Sequence, residues 1–145
     1  QLIIVAIAGI VVVYVSNSIV NTMKVNWGRF RPYEVKEIVS STKGTFTNWW
    51  HLNGQTGHQS FPSGHTIAAA AALFLPFFAD RKNLKGQKIL AYSGFVFTLL
   101  MMAARVRIGA HFLSDTTMSL IIASLVTFVA TKAIGYSFIE EESLN

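Results

Sequence analysis

The chain has 145 residues, 52% hydrophobic and only 13% charged, with no cysteine and a formal net charge of +5 at pH 7. A mean hydropathy of +0.44 is too apolar for an ordinary soluble domain, and the lack of thiols excludes both a disulfide framework and a cysteine-ligated metal. The Lys and Arg residues form no stripe with interleaved aromatics, which excludes nucleic acid as the partner.

The apolar residues come in blocks. No charged residue precedes Lys24, so roughly 23 residues are available to cross a bilayer. This opening has neither the basic start nor the small-residue cleavage site of a signal peptide and reads as a spanning helix. It begins in mid-hydrophobic stride on Gln1, which predicts that further sequence lies upstream. Lys24 and Arg31 are seven apart and are expected on one helix face, two turns separated, with Pro32 ending that face. Taken alone, such a pair serves as snorkelling anchors. Arg29, between them, reads as a headgroup or solvent contact.

Residues 33–60 form the long polar connection, an outer loop with Gly44, Gly54, Gly57 and the pair Trp49-Trp50. Paired tryptophans suit either the headgroup layer or a small packed cap over the bundle. His51, His58 and His65 are spaced by seven, which on a helix would align three zinc ligands. Gly54, Gly57, Pro62 and Gly64 interrupt any such helix, so no metal site is expected.

Phe61-Pro62-Ser63-Gly64-His65-Thr66 stands directly before an alanine-rich apolar run. Pro and Ser suit a helix start, whose free amides, here those of Ser63 and Gly64, can hold a phosphate oxygen, with glycine permitting close approach. Thr66–Ala79, Ile89–Ala104 and Thr116–Thr131 are the remaining charge-free blocks. The first two, at about 14 and 16 residues against a usual ~20, must borrow polar neighbours to span. Arg81, Lys82, Lys85 and Lys88 share one short loop and mark it as cytoplasmic. Lys24–Arg31, Ser63–His65 and Arg105–Asp115 then all fall on the outer side, and Glu140, Glu141 and Glu142 inside.

In Arg105-Val-Arg107-Ile-Gly-Ala-His111-Phe-Leu-Ser-Asp115, an Asp one helical turn after a His can accept a hydrogen bond from one ring nitrogen, leaving the other as a nucleophile. The same pair could be a buried structural hydrogen bond. Ionisable groups opening an apolar segment favour function, because they are costly at membrane depth.

Lys24-x6-Arg31-Pro32, Pro62-Ser63-Gly64-His65 and Arg105-x5-His111-x3-Asp115, in that order between hydrophobic blocks, resemble the three-part signature of the type 2 phosphatidic acid phosphatase superfamily. The resemblance implies an all-α integral-membrane bundle. Four spanning helices are expected over a single domain, 1–145, matching the last four of a six-helix fold, with two helices missing upstream. It implies His111 as nucleophile, Asp115 holding its imidazole, His65 as general acid, and Lys24, Arg31, Arg105, Ser63 and Gly64 as phosphate ligands, with neither metal nor cofactor. The substrate implied is a phospholipid or polyprenyl phosphate: phosphatidylglycerophosphate, phosphatidic acid or undecaprenyl diphosphate. It would be met in the plasma membrane at a site facing the extracellular or periplasmic side. Two alternatives share the pocket: a non-enzymatic anion-binding protein or transporter, and a vanadate-dependent haloperoxidase-like enzyme. One departure is Ala104, where the family's third motif opens with Ser.

Overall fold

The computed structural model describes residues 2–35 and 46–135. The middle of the expected outer loop, Gly44 included, and the glutamates 140–142 lie outside the described residues. Among the described residues all regular structure is helical: α1 (Leu2–Trp27), α2 (Gly64–Ala70) running directly into a 3-10 helix (Ala71–Phe78), α3 (Leu84–Arg107) and α4 (Leu113–Ala133).

Three segments among the described residues, Leu2–Val35, Leu84–Arg107 and Leu113–Ala133, are long and apolar enough to cross a membrane. The expected fourth, Gly64–Phe78, is shorter. Its seven α-helical and eight 3-10 residues nonetheless rise by roughly 26 Å, because a 3-10 turn is drawn out to about 2 Å per residue. Pro76, with no N–H to give, lies inside the 3-10 stretch.

The block at Ile89–Ala104 gains its length as expected, by taking in polar neighbours at both ends. Asn83 caps α3, its side chain accepting from the Gly86 amide at 2.9 Å. Lys85 and Lys88 then enter the first turns, where their apolar stems can lie along the helix.

Several polar side chains point inward and many apolar ones outward. Ser16, Thr98, Thr116, Ser119, Thr127 and Thr131 are buried, while Ile3, Ile10, Tyr14, Tyr92, Leu100 and Val129 are exposed. This arrangement suits lipid, where helices associate through close packing and interhelical hydrogen bonds. Two apolar clusters fill the interior. Val5, Ala8 and Val12 of α1 meet Phe74 and Phe77; nearer the other end, Val20 meets Ile67, Ala70, Ile122 and Ala123. Helix α3 closes on the α2/3-10 segment at Gly94, where an added Cβ would lie 2.4 Å from the Ala72 carbonyl oxygen. One turn on, the Thr98 hydroxyl donates to Ala69 O at 3.3 Å and Gly94 O at 2.8 Å. These contacts fix the depth of α2, whose first residues belong to the site.

Candidate active site

Helix α1 stops earlier than the spacing of Lys24 and Arg31 suggests. Its last helical residue is Trp27, and Gly28 turns the chain with φ +50°. A Cβ there would sit 2.1 Å from Gly54 O and 2.6 Å from Thr56 Oγ1, so the turn requires glycine. The segment 46–60 satisfies the carbonyls left open at the helix end: Gly54 N donates to Asn26 O, Asn53 N to Trp27 O, and the Thr56 hydroxyl to Gly28 O at 2.7 Å. Trp27 Nε1 donates to Trp49 O at 2.6 Å, and Trp27 and Trp49 both pack on Phe61. The described part of the loop is therefore tied by hydrogen bonds to the end of α1, with Trp49 and Trp50 both exposed. Lys24 and Arg31 do not share a helix face. They meet because the turn at Gly28 folds Arg31 back within electrostatic range of Lys24.

Three backbone hydrogen bonds join the three sequence clusters: Tyr33 N to Gly109 O, Ser60 N to Arg29 O, and Ser63 N to Asp115 O, at 3.1, 2.9 and 3.2 Å. Ser119 Oγ adds a fourth tie, donating to Ser63 O at 2.9 Å. The Ser63 amide is thus occupied, contrary to the expectation that it would be open to an anion. The Ser63 hydroxyl caps α2, accepting from Thr66 N and Thr66 Oγ1, and keeps its own proton to donate. Among the described residues, the Gly64 amide in the first turn has no acceptor. A carbon at position 64 would stand 3.3 Å from Lys24 Nζ, so the ammonium lies directly over this glycine.

The Arg105-x5-His111 spacing is the length of a helix C-cap. Ala110 N returns to Arg105 O and Gly109 N to Val106 O, with Gly109 at φ +70°, which is a Schellman ending of α3. It places Arg105 on the last turn and His111 in the bend just beyond. Among the described residues, the buried Nε atom of Arg105 has no hydrogen-bond partner. Lys24, Arg31, Arg105 and His111 all act electrostatically on the imidazole of His65, which is exposed in the first turn of α2. Three cations and two imidazoles thus gather at one end of the bundle. Arg107, on the same turn as Arg105, is exposed, as is Ala104.

His111 and Asp115 are arranged differently from a helical i, i+4 pair. His111 precedes α4, and Asp115 lies in its first turn. Histidine Nδ1 meets the carbonyl oxygen of Ser60 at 2.7 Å, and Asp115 Oδ2 stands back at 3.8 Å. The expected direct bond is thus replaced by one to a backbone carbonyl. Asp115 is fully buried and engaged elsewhere: Ser60 Oγ donates to Oδ2 at 2.6 Å, Phe112 N donates to Oδ2 at 2.9 Å, and Arg29 Nη1 pairs with Oδ1.

Arg29 overturns its reading as a solvated or headgroup residue. It is 2% exposed, donates to Thr47 O at 3.0 Å and Ser114 Oγ at 2.8 Å, and lies over the Phe112 ring at 4.3 Å. No sequence motif marks Ser60. Nothing in its local sequence sets it apart, since its importance comes from which segments meet there. The three histidines spaced by seven go separate ways. His51 is exposed, His58 stacks on Phe30 and faces Glu34 Oε2 at 3.3 Å, and His65 opens α2.

A bundle of membrane-spanning helices carrying this three-segment cluster at one end belongs to the PAP2 superfamily, whose sequence model matches residues 2–139. The chain is 34% identical over 98 residues to phosphatidylglycerophosphatase B of Haemophilus influenzae, in an alignment covering 65% of this chain and 38% of that protein. It therefore spans well under half the length of that curated relative. No solved structure matches the chain.

Proposed function

We propose that the protein hydrolyses a lipid phosphate monoester or diphosphate through a phosphohistidine on His111, without a metal. One observation carries the reading. A backbone carbonyl can only accept a hydrogen bond, so the 2.7 Å contact with Ser60 O requires the proton on Nδ1 of His111. In the neutral ring this leaves the lone pair on Nε2, the state a nucleophile needs.

In the first step Nε2 attacks the terminal phosphorus in line and its bond to the bridging oxygen breaks, with His65 giving its proton to that oxygen, which leaves as the lipid alcohol from a monoester or as the lipid monophosphate from a diphosphate. Water next attacks the phosphohistidine, His65 takes up the water proton, and the N–P bond breaks to release phosphate. Lys24, Arg31 and Arg105, with the Ser63 hydroxyl and the Gly64 amide, neutralise the non-bridging oxygens. The Arg105 Nε, unpartnered among the described residues, supports this role, since a buried donor left without an acceptor suits a site that an anion completes.

A lipid substrate is supported by an apolar groove of about 720 Å³ between α1 and the 3-10 helix, lined by Gly9, Val13, Phe74 and Leu75. Its polar end, at Asn17, Ser18 and Asn21, lies one turn below Lys24. A hydrocarbon tail lying there would bring its phosphate to the cationic end. The basic residues Arg81, Lys82, Lys85 and Lys88 stand around the opposite end of α3, and by the positive-inside rule they support a site facing the extracellular or periplasmic side of the plasma membrane.

The test is turnover by the detergent-solubilised protein of phosphatidylglycerophosphate, phosphatidic acid and undecaprenyl diphosphate in the presence of a chelator. Phosphate release from at least one is expected. Vanadate binding with no release from any would leave an anion-binding protein instead. His65→Ala is expected to slow phosphoenzyme formation about 10²–10⁴-fold for lipid alkyl esters and far less for a nitrophenyl ester, whose leaving group needs no proton. Equal slowing of both classes would remove the acid role.

A further inference from the structure

Arg29 is joined to Ser60 twice. Its guanidinium pairs with Asp115, whose Oδ2 takes the Ser60 hydroxyl, and its own carbonyl takes the Ser60 amide at 2.9 Å. Side chain, carboxylate, hydroxyl and main chain therefore close into one ring of hydrogen bonds. The Ser60 carbonyl, held from both sides, projects from that ring to His111 Nδ1. Nothing else described contacts Nδ1 at hydrogen-bond distance, since Asp115 stands 3.8 Å away.

We infer that Arg29 is a positioning residue for the phosphoryl-transfer site: by drawing Asp115 to itself, it leaves the Ser60 carbonyl to set the tautomer of His111. The inference rests on the reading of His111 as nucleophile but concerns a property of the resting protein. Without the guanidinium, Asp115 carries an uncompensated charge beside the imidazole. The carboxylate would then compete for the imidazole N–H, and the ring would be protonated or would turn. A second proton occupies the lone pair on Nε2, and a turn of the ring takes that lone pair off the line of attack on phosphorus. Lysine at 29 supplies the charge but not the planar fork that reaches Asp115, Ser114 and Thr47 at once.

The experiment uses the detergent-solubilised full chain labelled with ¹⁵N-histidine, comparing wild type, Arg29→Gln and Arg29→Lys. Ring nitrogen shifts report the His111 tautomer, and vanadate binding counts the intact sites. Wild type should show a single Nδ1-protonated neutral ring. Arg29→Gln should lose it, with turnover per vanadate-binding site falling about 100-fold and KM changing less than threefold; Arg29→Lys should fall between. A wild type that hydrolyses no lipid yet loses the tautomer in the variant would sink the phosphatase reading and keep this one. A single Nδ1-protonated ring persisting in Arg29→Gln overturns the inference whatever turnover does. If Arg29→Gln does not fold, the same criterion is applied to Arg29→Lys.

Discussion

His111→Ala is expected to reduce phosphate release to below about one-thousandth of the wild-type rate, and to leave no phosphate on the protein after rapid acid-free quenching with labelled lipid phosphate. The size of the effect follows from chemistry rather than binding. The cationic cluster of Lys24, Arg31 and Arg105 is held by α1, the turn at Gly28 and α3, none of which depends on the imidazole of residue 111, so substrate affinity should change only a few-fold. What disappears is a ring whose Nδ1 is held by a carbonyl, so that in its neutral form the lone pair lies on the other nitrogen. His65, exposed and under the influence of four neighbouring groups that can be cationic, has no comparable fixing contact among the described residues and should not substitute. A labelled protein still trapped from the variant would transfer the nucleophile's role elsewhere.

The helices were legible because their physics is local. Charge-free blocks long enough to span must become helix in lipid, where each backbone group needs an internal partner. The ends were less legible because they depend on single residues and on tertiary neighbours. Gly28 ends α1 where the pattern of Lys24 and Arg31 suggested continuation, since the Gly54 carbonyl occupies the space a side chain would need. Lys85 and Lys88 read as part of the basic loop, yet both lie within α3, where long stems let charge reach water from inside a helix.

The site divides in the same way. Residue types and spacing singled out Lys24, Arg31, His65, Arg105, His111 and Asp115, and the fold gathers them. Partner choice inside the cluster was not readable. An i, i+4 rule presumes a continuous helix, and the chain from His111 to Asp115 instead crosses a helix start at Phe112. Asp115 consequently turns to Arg29, 86 residues away in the chain, and His111 to Ser60, 51 residues away. No periodicity reports contacts at those separations.

Asp115→Ala is expected to be the most destabilising single change in the site, by about 3–5 kcal/mol, the usual cost of leaving one member of a buried ion pair alone. That is a large part of the roughly 5–15 kcal/mol that holds a typical domain folded. Arg29 would keep Thr47 O, Ser114 Oγ and the Phe112 ring, but these are neutral groups and cannot compensate a guanidinium only 2% exposed. Ser60 Oγ and Phe112 N would lose their acceptor as well. The double change Arg29→Met with Asp115→Leu should recover most of the loss, because an apolar pair of similar volume often replaces a buried ion pair at little cost. Activity should not return with it, since the Ser60 hydroxyl would still lack the carboxylate that fixes it. Thermal unfolding in detergent, followed by the fluorescence of Trp27, Trp49 and Trp50, separates these outcomes. Unfolding of the single variant at the wild-type temperature would mean the pair adds nothing to stability. Equal destabilisation of single and double variants would mean that packing around Phe112, rather than charge compensation, is what the pair supports.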